Sequence, residues 1–250
     1  MRNALRNGEF EVHYQPLMDV ESSAVSGFEA LVRWNHPERG LIMPNGFIPI
    51  AEETGLIVPL GEWVIRQALA DAANWPNHIT VSINLSPVQV RSSALLGILI
   101  QAIASNGIEP GRVCLEITES VLMQDNEANI QALHRLRDFG MQISLDDFGT
   151  GYSSLNYLRT FPFSKIKIDR CFVSEIEENR DCQAIVRSVI TLAGSLGMTT
   201  IAEGIERETQ ADLLKGEGCA ELQGFLYSKA VPADQVAAYF DGEKAAAAAA

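Results

Sequence analysis

Short runs of β-branched and apolar residues alternate with longer amphipathic stretches along almost the whole chain, and this alternation constrains the fold more than any other feature. The pattern predicts strands at residues 11–17, 25–34, 79–85, 113–118, 141–146, 165–168, 199–202 and 220–225. It predicts helices at residues 47–55, 59–75, 94–106, 127–139, about 153–159, 181–196, 206–215 and 232–240. Repeated strand–helix units are typical of a parallel sheet, and with about eight strands a closed barrel is favoured over an open sheet.

The first two predicted strands depart from this pattern. Only a polar turn around residues 21–23 separates them, so they should form an antiparallel pair. We therefore predict an α/β fold, a modified TIM (β/α)8 barrel with an antiparallel first strand. The length of 250 residues fits one large domain, which we place at residues 1–241. Residues 242–250 are predicted to form an Ala-rich tail outside the fold.

Composition and charge exclude several classes of protein. The net charge of −13 argues against sequence-independent binding of nucleic acid polymers or anionic membranes, which need clusters of Lys and Arg. No apolar run approaches the ~20 residues of a membrane helix, and the N-terminus lacks the apolar core of a secretory signal. The four cysteines, Cys114, Cys171, Cys182 and Cys219, form no C-x-x-C pair, which is typical of a reducing compartment. We predict a cytoplasmic domain without direct membrane contact, although domains outside this chain could be membrane-bound.

Polar side chains occur near the carboxyl ends of the predicted strands. They are Glu29, Asn84, Glu116, Asp146, Asp147, Lys167, Glu203 and Gln223. Such groups in a barrel all face one mouth, where barrel enzymes keep their chemistry. Any one of them alone could be an ordinary strand-end group that a helix terminus or a loop satisfies. The whole set could not, because buried charge must be paired or metal-bound and one lysine cannot neutralise five carboxylates.

The ligand types indicate a hard cation. Oxygen donors favour Mg²⁺ or Mn²⁺ over zinc, and no histidine belongs to the set. The carboxylates exceed what one ion needs, so we expect two ions that share a bridging aspartate, an arrangement that serves phosphoester displacement. The adjacent carboxylates of Asp146 and Asp147 are costly unless a cation lies between them, although taken alone an aspartate pair before Gly149 and Gly151 is equally compatible with a helix cap.

The same residues allow an alternative, metal-assisted proton abstraction in an enolase-like barrel, which also uses strand-end acids and a lysine base. Lys165 and Lys167 would suit that chemistry. The number of acids, together with Asn84, counts against it because they exceed a site for one ion. The lysine pair is also unspecific, since Lys165 can simply face outward.

With these residues assembled, the chain resembles the EAL family of cyclic di-GMP phosphodiesterases over essentially residues 10–240. The matching segments are residues 14–16 (YQP), 28–34 (FEALVRW), 82–86 (SINLS), 115–119 (LEITE), 146–151 (DDFGTG), 165–169 (KIKID), 202–206 (AEGIE) and 223–225 (QGF). Their order and spacing make the match specific. The departures are Cys171 where serine is common, Ile205 for valine and Phe225 for tyrosine, and none of them removes a charge.

The resemblance implies hydrolysis of cyclic di-GMP to linear pGpG with two Mg²⁺ or Mn²⁺ ions, and inhibition by Ca²⁺. It assigns Glu29, Asn84, Glu116 and Asp146 to one ion, with Asp146 bridging to a second ion held by Asp147. Glu203 would be a further ligand of the second ion or the general base. Lys167 resembles the residue that holds the attacking water, and Gln223 a partner of that water or of the ion's solvent shell. Since every catalytic position is filled, hydrolysis is favoured over the alternative, a cyclic di-GMP receptor with little turnover.

Further roles follow from the same resemblance. Arg33 and the Leu31 backbone are similar to the groups that grip the phosphate, and Gln15 lines the substrate groove with Gln223. Glu119 resembles the carboxylate that anchors the loop after Asp147. The family also implies a homodimer through residues 149–158 and a fused sensory or GGDEF domain outside this chain. The glycines after Asp147 would free that loop, so that a regulatory signal could act there by deciding whether the second ion binds.

Overall fold

The computed structural model describes residues 1–123, 127–149, 158, 160–161 and 163–240, except for the side chains of residues 122 and 123. In this part of the chain, strands β1 to β10 are Phe10–Asp19, Val25–His36, Gly40–Ile42, Thr80–Asn84, Val113–Thr118, Gln142–Phe148, Lys165–Ile168, Thr199–Ala202, Glu221–Leu222 and Val231–Pro232. Helices α1 to α10 are Arg2–Asn7, Ile48–Glu53, Ile57–Ala72, Pro87–Val90, Leu95–Asn106, Glu119–Met123, Glu127–Asp138, Arg170–Ser174, Arg180–Ser195 and Glu208–Gly216. Short 3₁₀ helices lie at Pro44–Gly46, Pro110–Arg112 and Ala233–Tyr239.

Eight of these strands close into a barrel in the order β1, β9, β8, β7, β6, β5, β4, β2, with β2 pairing back to β1. The strands from β2 through β4 to β9 run parallel to their neighbours. In contrast, β1 runs antiparallel to both β2 and β9. Its hairpin register with β2 places Gln15 opposite Glu29. These pairings confirm the predicted modified barrel with an antiparallel first strand.

The parallel strands are covered on both faces, which explains their long apolar runs. All four residues of β7 are buried, and so are the first five of β5. Helix α3 packs an apolar face that includes Leu60, Val64 and Ala68, spaced one turn apart. Gly107 ends α5 with a φ of 66°, a left-handed conformation that glycine adopts at little cost. The barrel is therefore a rigid support for the side chains that its strand ends carry.

Several short elements differ from the sequence prediction. Helices α1, α4, α6 and α8 and strands β3 and β10 were not predicted, and each has six residues or fewer. The strand predicted at residues 220–225 pairs only over Glu221–Leu222, because from Gln223 onward the chain turns across the barrel mouth and bonds to Ala202 and Ile205. The final predicted helix is 3₁₀ rather than α. The helix predicted at about residues 153–159 and the Ala-rich tail lie outside the described residues.

Among the described helices, none combines the length and the apolar character that crossing a membrane requires.

Candidate active site

The ammonium of Lys167 lies in the barrel mouth among carboxylates that four different strands position. Its Nζ is 2.6 Å from Glu116 Oε2 and 2.5 Å from Glu203 Oε1. It is 3.4 Å from Glu29 Oε2 and 3.5 Å from Asp146 Oδ1. These residues come from β7, β5, β2, β6 and the residue after β8, so closure of the barrel is what brings them together.

Glu29 accepts hydrogen bonds from both sides of the mouth. Asn84 Nδ2 donates to its Oε1 at 2.6 Å, and Gln223 Nε2 donates to its Oε2 at 2.7 Å. Burial alone would raise the pKa of Glu29, but the charge of Lys167 and the hydrogen bonds from Gln223 and Asn84 hold it below the usual range. Glu29 is therefore an ionised carboxylate with a fixed orientation.

The remaining acids of the mouth have more negative charge around them than one ammonium can compensate. Burial, followed by the charges of neighbouring carboxylates, raises the pKa of Glu116 to about 8, of Glu203 to about 7 and of Asp147 to about 6. Burial alone would lower the pKa of Lys167, but the charges of Glu116, Glu203, Glu29 and Asp146 raise it well above its usual value. The cluster thus needs further positive charge in order to be fully ionised at neutral pH.

A hard divalent cation fits this cluster. Carboxylate oxygens of Asp146, Asp147 and Glu203 lie within 4.8 Å of one another, close enough to share an ion. Glu116 Oε1 is buried and has no hydrogen-bond partner among the described residues. Oxygen donors of this kind favour Mg²⁺ or Mn²⁺. Asp146, Asp147 and Glu203 therefore lie close enough together to hold one such ion, and the assignment of Glu29, Asn84 and Glu116 to an ion stays a prediction.

The loop that begins at Asp147 starts with an unusual backbone conformation. Asp147 has a φ of 54°, and its amide donates to Asp146 Oδ1 at 3.0 Å. The Gly149 amide donates to Glu119 Oε1 at 3.1 Å, so the carboxylate predicted to anchor this loop is in contact with it. Gly149 has a φ of 94°, and an added Cβ would lie 3.0 Å from the Phe172 ring. Of the predicted dimer segment, the structure describes only residues 149 and 158.

The mouth opens into a groove with two lobes that meet at Glu29, Leu31 and Asp146. The larger lobe has a volume of about 570 Å³ and the smaller about 280 Å³. Besides Glu29 and Asp146, the polar residues of the larger lobe are Asn45, Glu52, Asn84, Ser86, Gln89, Thr118, Ser120 and Asp147. The smaller lobe is lined by Gln15, Lys167, Arg170, Glu203, Glu206, Gln223 and Phe225 among others. The acidic cluster thus borders both lobes of the groove.

Three of the four predicted substrate-binding residues, Gln15, Leu31 and Gln223, line this groove. Leu31 borders both lobes. Gln15 donates to the Ser228 carbonyl at 3.1 Å and accepts from Gln223 at 3.3 Å, so its side chain is held in the smaller lobe. The Arg33 guanidinium is buried and donates to the Val32 carbonyl at 3.1 Å, outside the lining of either lobe. Its predicted contact with a phosphate stays a prediction.

The sequence interpretation missed some groove residues and misplaced one lysine. Ser86 and Gln89 form a reciprocal capping box at α4, a spacing that was readable in the sequence. The suggestion that Lys165 faces outward is wrong. Lys165 is buried in the barrel and donates to Glu221 Oε2 at 2.5 Å, because residues two apart on a strand share a face and Lys167 points inward.

Comparison with known proteins gives the family. The sequence profile of the EAL domain matches residues 1–230. The chain belongs to the EAL domain family. A relative in Pseudomonas aeruginosa, named as the bifunctional diguanylate cyclase/cyclic di-GMP phosphodiesterase MucR, is 41% identical over 242 residues, which is 95% of this EAL domain and 35% of that protein. The Escherichia coli K12 protein named cyclic di-GMP phosphodiesterase PdeR is 40% identical, over 93% of this chain and 36% of its own length.

Solved EAL structures share the fold closely. One described as a PaMucR phosphodiesterase in complex with c-di-GMP has a TM-score of 0.90 and 41% identity, covering 94% of this EAL domain and 97% of that chain. The curated relatives are longer proteins, and this EAL domain spans about a third of the length of MucR and PdeR.

Proposed function

We propose that this EAL domain hydrolyses the cyclic dinucleotide cyclic di-GMP to linear 5′-pGpG in a metal-dependent reaction. The observation that carries the proposal is the acidic cluster around Lys167, which borders both lobes of the groove. Family membership supports it, since MucR and PdeR are named as cyclic di-GMP phosphodiesterases and a solved relative holds c-di-GMP.

We assign the proposed metal ligands to two ions. Glu29, Asn84, Glu116 and Asp146 would hold one Mg²⁺ or Mn²⁺, and Asp146, Asp147 and Glu203 would hold a second. Bound there, the ions supply positive charge that makes water a better nucleophile and stabilises the negative charge that develops on the phosphoryl oxygens. The unpartnered Glu116 Oε1 and the raised pKa of Glu116, about 8, are the features that such charge would compensate.

The protein side chains orient the attack and move the proton. Lys167 Nζ would donate a hydrogen bond to the attacking water and so fix its position over the phosphorus. Glu203, with a pKa raised to about 7 by burial, is placed either to ligate the second ion or to accept the water proton. The water oxygen bonds to phosphorus while the bond from phosphorus to the 3′ oxygen breaks. The leaving 3′ oxygen takes up a proton, which leaves a 5′-phosphate and a free 3′-hydroxyl.

In the proposed complex, each lobe of the groove would hold one half of the dinucleotide. The scissile phosphate would lie where the lobes meet, beside Glu29 and Asp146, and the two guanosines would extend into the two lobes. Gln15 and Gln223 would contact the half in the smaller lobe, and Arg33 the phosphate. We further propose that the domain acts in the cytoplasm as a homodimer and as part of a longer signalling protein that carries a sensory or GGDEF domain.

Incubation with cyclic di-GMP and Mg²⁺, followed by chromatography of the products, tests the function. We expect pGpG to accumulate. Tight binding of cyclic di-GMP without product would instead identify a receptor, and neither binding nor product would refute both.

Replacing Mg²⁺ by Ca²⁺ is expected to abolish most of the turnover. Ca²⁺ takes more ligands at longer distances, so it should occupy the carboxylates yet misplace the attacking water. Initial rates of pGpG formation, with each metal alone and in competition, measure this effect. If Ca²⁺ supported hydrolysis as well as Mg²⁺ does, the ligand assignment above would be wrong.

Stabilisation by Mg²⁺ is expected to grow between about pH 5.5 and about pH 8. The pKa values of Glu116, Glu203 and Asp147 are raised in the folded state. The stability that these raised pKa values contribute is therefore fully present below the pKa values of the unfolded chain. It is lost as pH rises through the pKa values of the folded state. Mg²⁺ binds the ionised form of these carboxylates, so its binding stabilises the fold at pH values at which they have lost their protons.

Melting temperatures with EDTA and with Mg²⁺, at both pH values, measure this linkage. At about 100 times its Kd, Mg²⁺ should stabilise the fold by about 2.7 kcal/mol. For a chain of this size that corresponds to a shift of roughly 5–10 °C near pH 8. An equal shift at both pH values would contradict the expectation.

A further inference from the structure

A second polar layer lies inside the barrel below the mouth. Lys165 and Lys167 are two residues apart on β7, so both side chains point into the barrel, and both are buried. Lys165 Nζ donates to Glu221 Oε2 at 2.5 Å, and Ser26 Oγ donates to Glu221 Oε1 at 2.8 Å. Barrel interiors are ordinarily filled by bulky branched apolar side chains. A buried ion pair at this level is a departure from that rule.

This ion pair joins β7, which carries Lys167, to β9, which directly precedes Gln223. Strands β7 and β9 are the two neighbours of β8, so the contact between Lys165 and Glu221 spans β8. Each member precedes its site residue by two positions, which places the pair one layer below them. Above it, Lys167 and Gln223 both contact Glu29 Oε2, at 3.4 and 2.7 Å. Strand β9 is only two residues long.

Stability alone does not account for the pair. Replacing a buried ion pair with apolar residues of similar volume is often neutral or stabilising, because the charges no longer lose their hydration. The charges of Lys165 and Glu221 also act on a group beside the site. Burial, and then the charge of Glu116, raises the pKa of the Cys114 thiol to about 12, while Lys165 lowers it and Glu221 raises it. An unpaired Lys165 would therefore sit in the field of Glu116, whose Oε1 is an open acceptor among the described residues.

We infer that Lys165 and Glu221 are a positioning pair for the hydrolysis proposed above, on which this inference rests. The pair holds β7 and β9 at the separation at which Lys167 and Gln223 converge on Glu29. Glu221 also keeps the second ammonium away from Glu116. Neither member touches the substrate, so the pair affects the rate of the chemical step rather than the affinity for cyclic di-GMP.

The test uses the double variant Lys165→Met/Glu221→Met in the full chain. Either single variant leaves a buried charge unpaired and is expected to melt at a lower temperature, whereas the double variant removes both charges together. We expect the double variant to melt within a few degrees of the parent. Its kcat should fall about 10- to 100-fold, the usual effect of losing a residue that orients a site, with KM within about twofold of the parent.

Arg112→Met is the matched control for a buried charged group remote from the mouth. Arg112 lies at the amino end of β5, is buried, and donates to the carbonyls of Ile79 at 3.0 Å and Ala72 at 2.8 Å. Its loss should lower the melting temperature and leave kcat at the parent value. The positioning role therefore predicts a lower kcat with little change in melting temperature for the Lys165→Met/Glu221→Met variant. For Arg112→Met it predicts a lower melting temperature with an unchanged kcat.

Three outcomes would overturn the inference. A double variant with the parent kcat would show that the pair does not position the site. An equal fall of kcat in Arg112→Met would show that destabilisation explains the loss, and a matching rise in KM would show an effect on binding. If the parent itself forms no pGpG, the proposed function fails and this inference with it. An active parent with an unchanged double variant refutes the inference alone.

Discussion

Lys167→Ala is expected to lower kcat for cyclic di-GMP hydrolysis by about 10³-fold or more while binding of cyclic di-GMP is retained. The reason is the position of its ammonium, which lies in the smaller lobe within 3.5 Å of four carboxylates, two of which, Glu29 and Asp146, border both lobes. Alanine would remove the proposed donor to the attacking water and would contribute nothing in its place. In the proposed complex the bases and sugars of the substrate would contact other parts of the groove, so affinity should depend on Lys167 far less than turnover does.

Single-turnover kinetics together with equilibrium binding, both with Mg²⁺ present, separate these two quantities. Lys215→Ala is the control, because Lys215 is an exposed lysine in the last turn of α10 and should leave both quantities unchanged. Equal hydrolysis rates for Lys167→Ala and the parent would rule out the assigned role. A loss of binding as large as the loss of rate would assign Lys167 to substrate affinity instead.

Asp146→Asn is expected to abolish binding of both ions and to lower kcat by several orders of magnitude, about 10³-fold or more. Asp146 is proposed to be shared between the ions, whereas Asp147 serves only the second. Asp147→Asn should therefore leave one ion bound. Asparagine is the right replacement at that position, because Asp147 has a φ of 54° and asparagine accepts this backbone conformation better than most residues.

Titration with Mn²⁺, followed by the paramagnetic signal of the free ion, counts the sites. The parent should bind two ions, Asp147→Asn one and Asp146→Asn none at the same concentration. Glu217→Gln removes a carboxylate that pairs with exposed Arg187 and should behave as the parent does. A parent that binds a single ion, or an Asp147→Asn variant that loses both, would contradict the shared role of Asp146.

The barrel and its mouth were predictable from the sequence because both depend on local patterns. Strand–helix alternation set the fold, and polar residues at strand ends identified the mouth without any knowledge of contacts. Strands β5, β7 and β8 begin and end where the pattern placed them. Each is a short apolar run covered on both faces, so hydrophobic burial alone defines its limits.

The rest depends on contacts between residues far apart in the sequence. The short helices α4 and α8 are too short to be stable in isolation and form because the barrel holds them. Lys165 and Glu221 are 56 residues apart, and no local pattern shows that they pair. The buried orientation of Arg33 likewise follows from how β2 packs once the barrel has closed. Sequence periodicity predicts which side chains share a face of a strand. Which side chains contact each other across the barrel depends on how the barrel closes.

The most direct test of the central claim follows cyclic di-GMP through one preparation of the domain, first stripped with EDTA and then supplied with Mg²⁺, in water enriched in ¹⁸O. We predict no product after EDTA, restored pGpG formation with Mg²⁺, and one ¹⁸O atom in its 5′-phosphate by mass spectrometry. Turnover that persists without metal, or cyclic di-GMP that stays bound and intact with Mg²⁺ present, would contradict the assignment of the acidic mouth as a metal-dependent phosphodiesterase site.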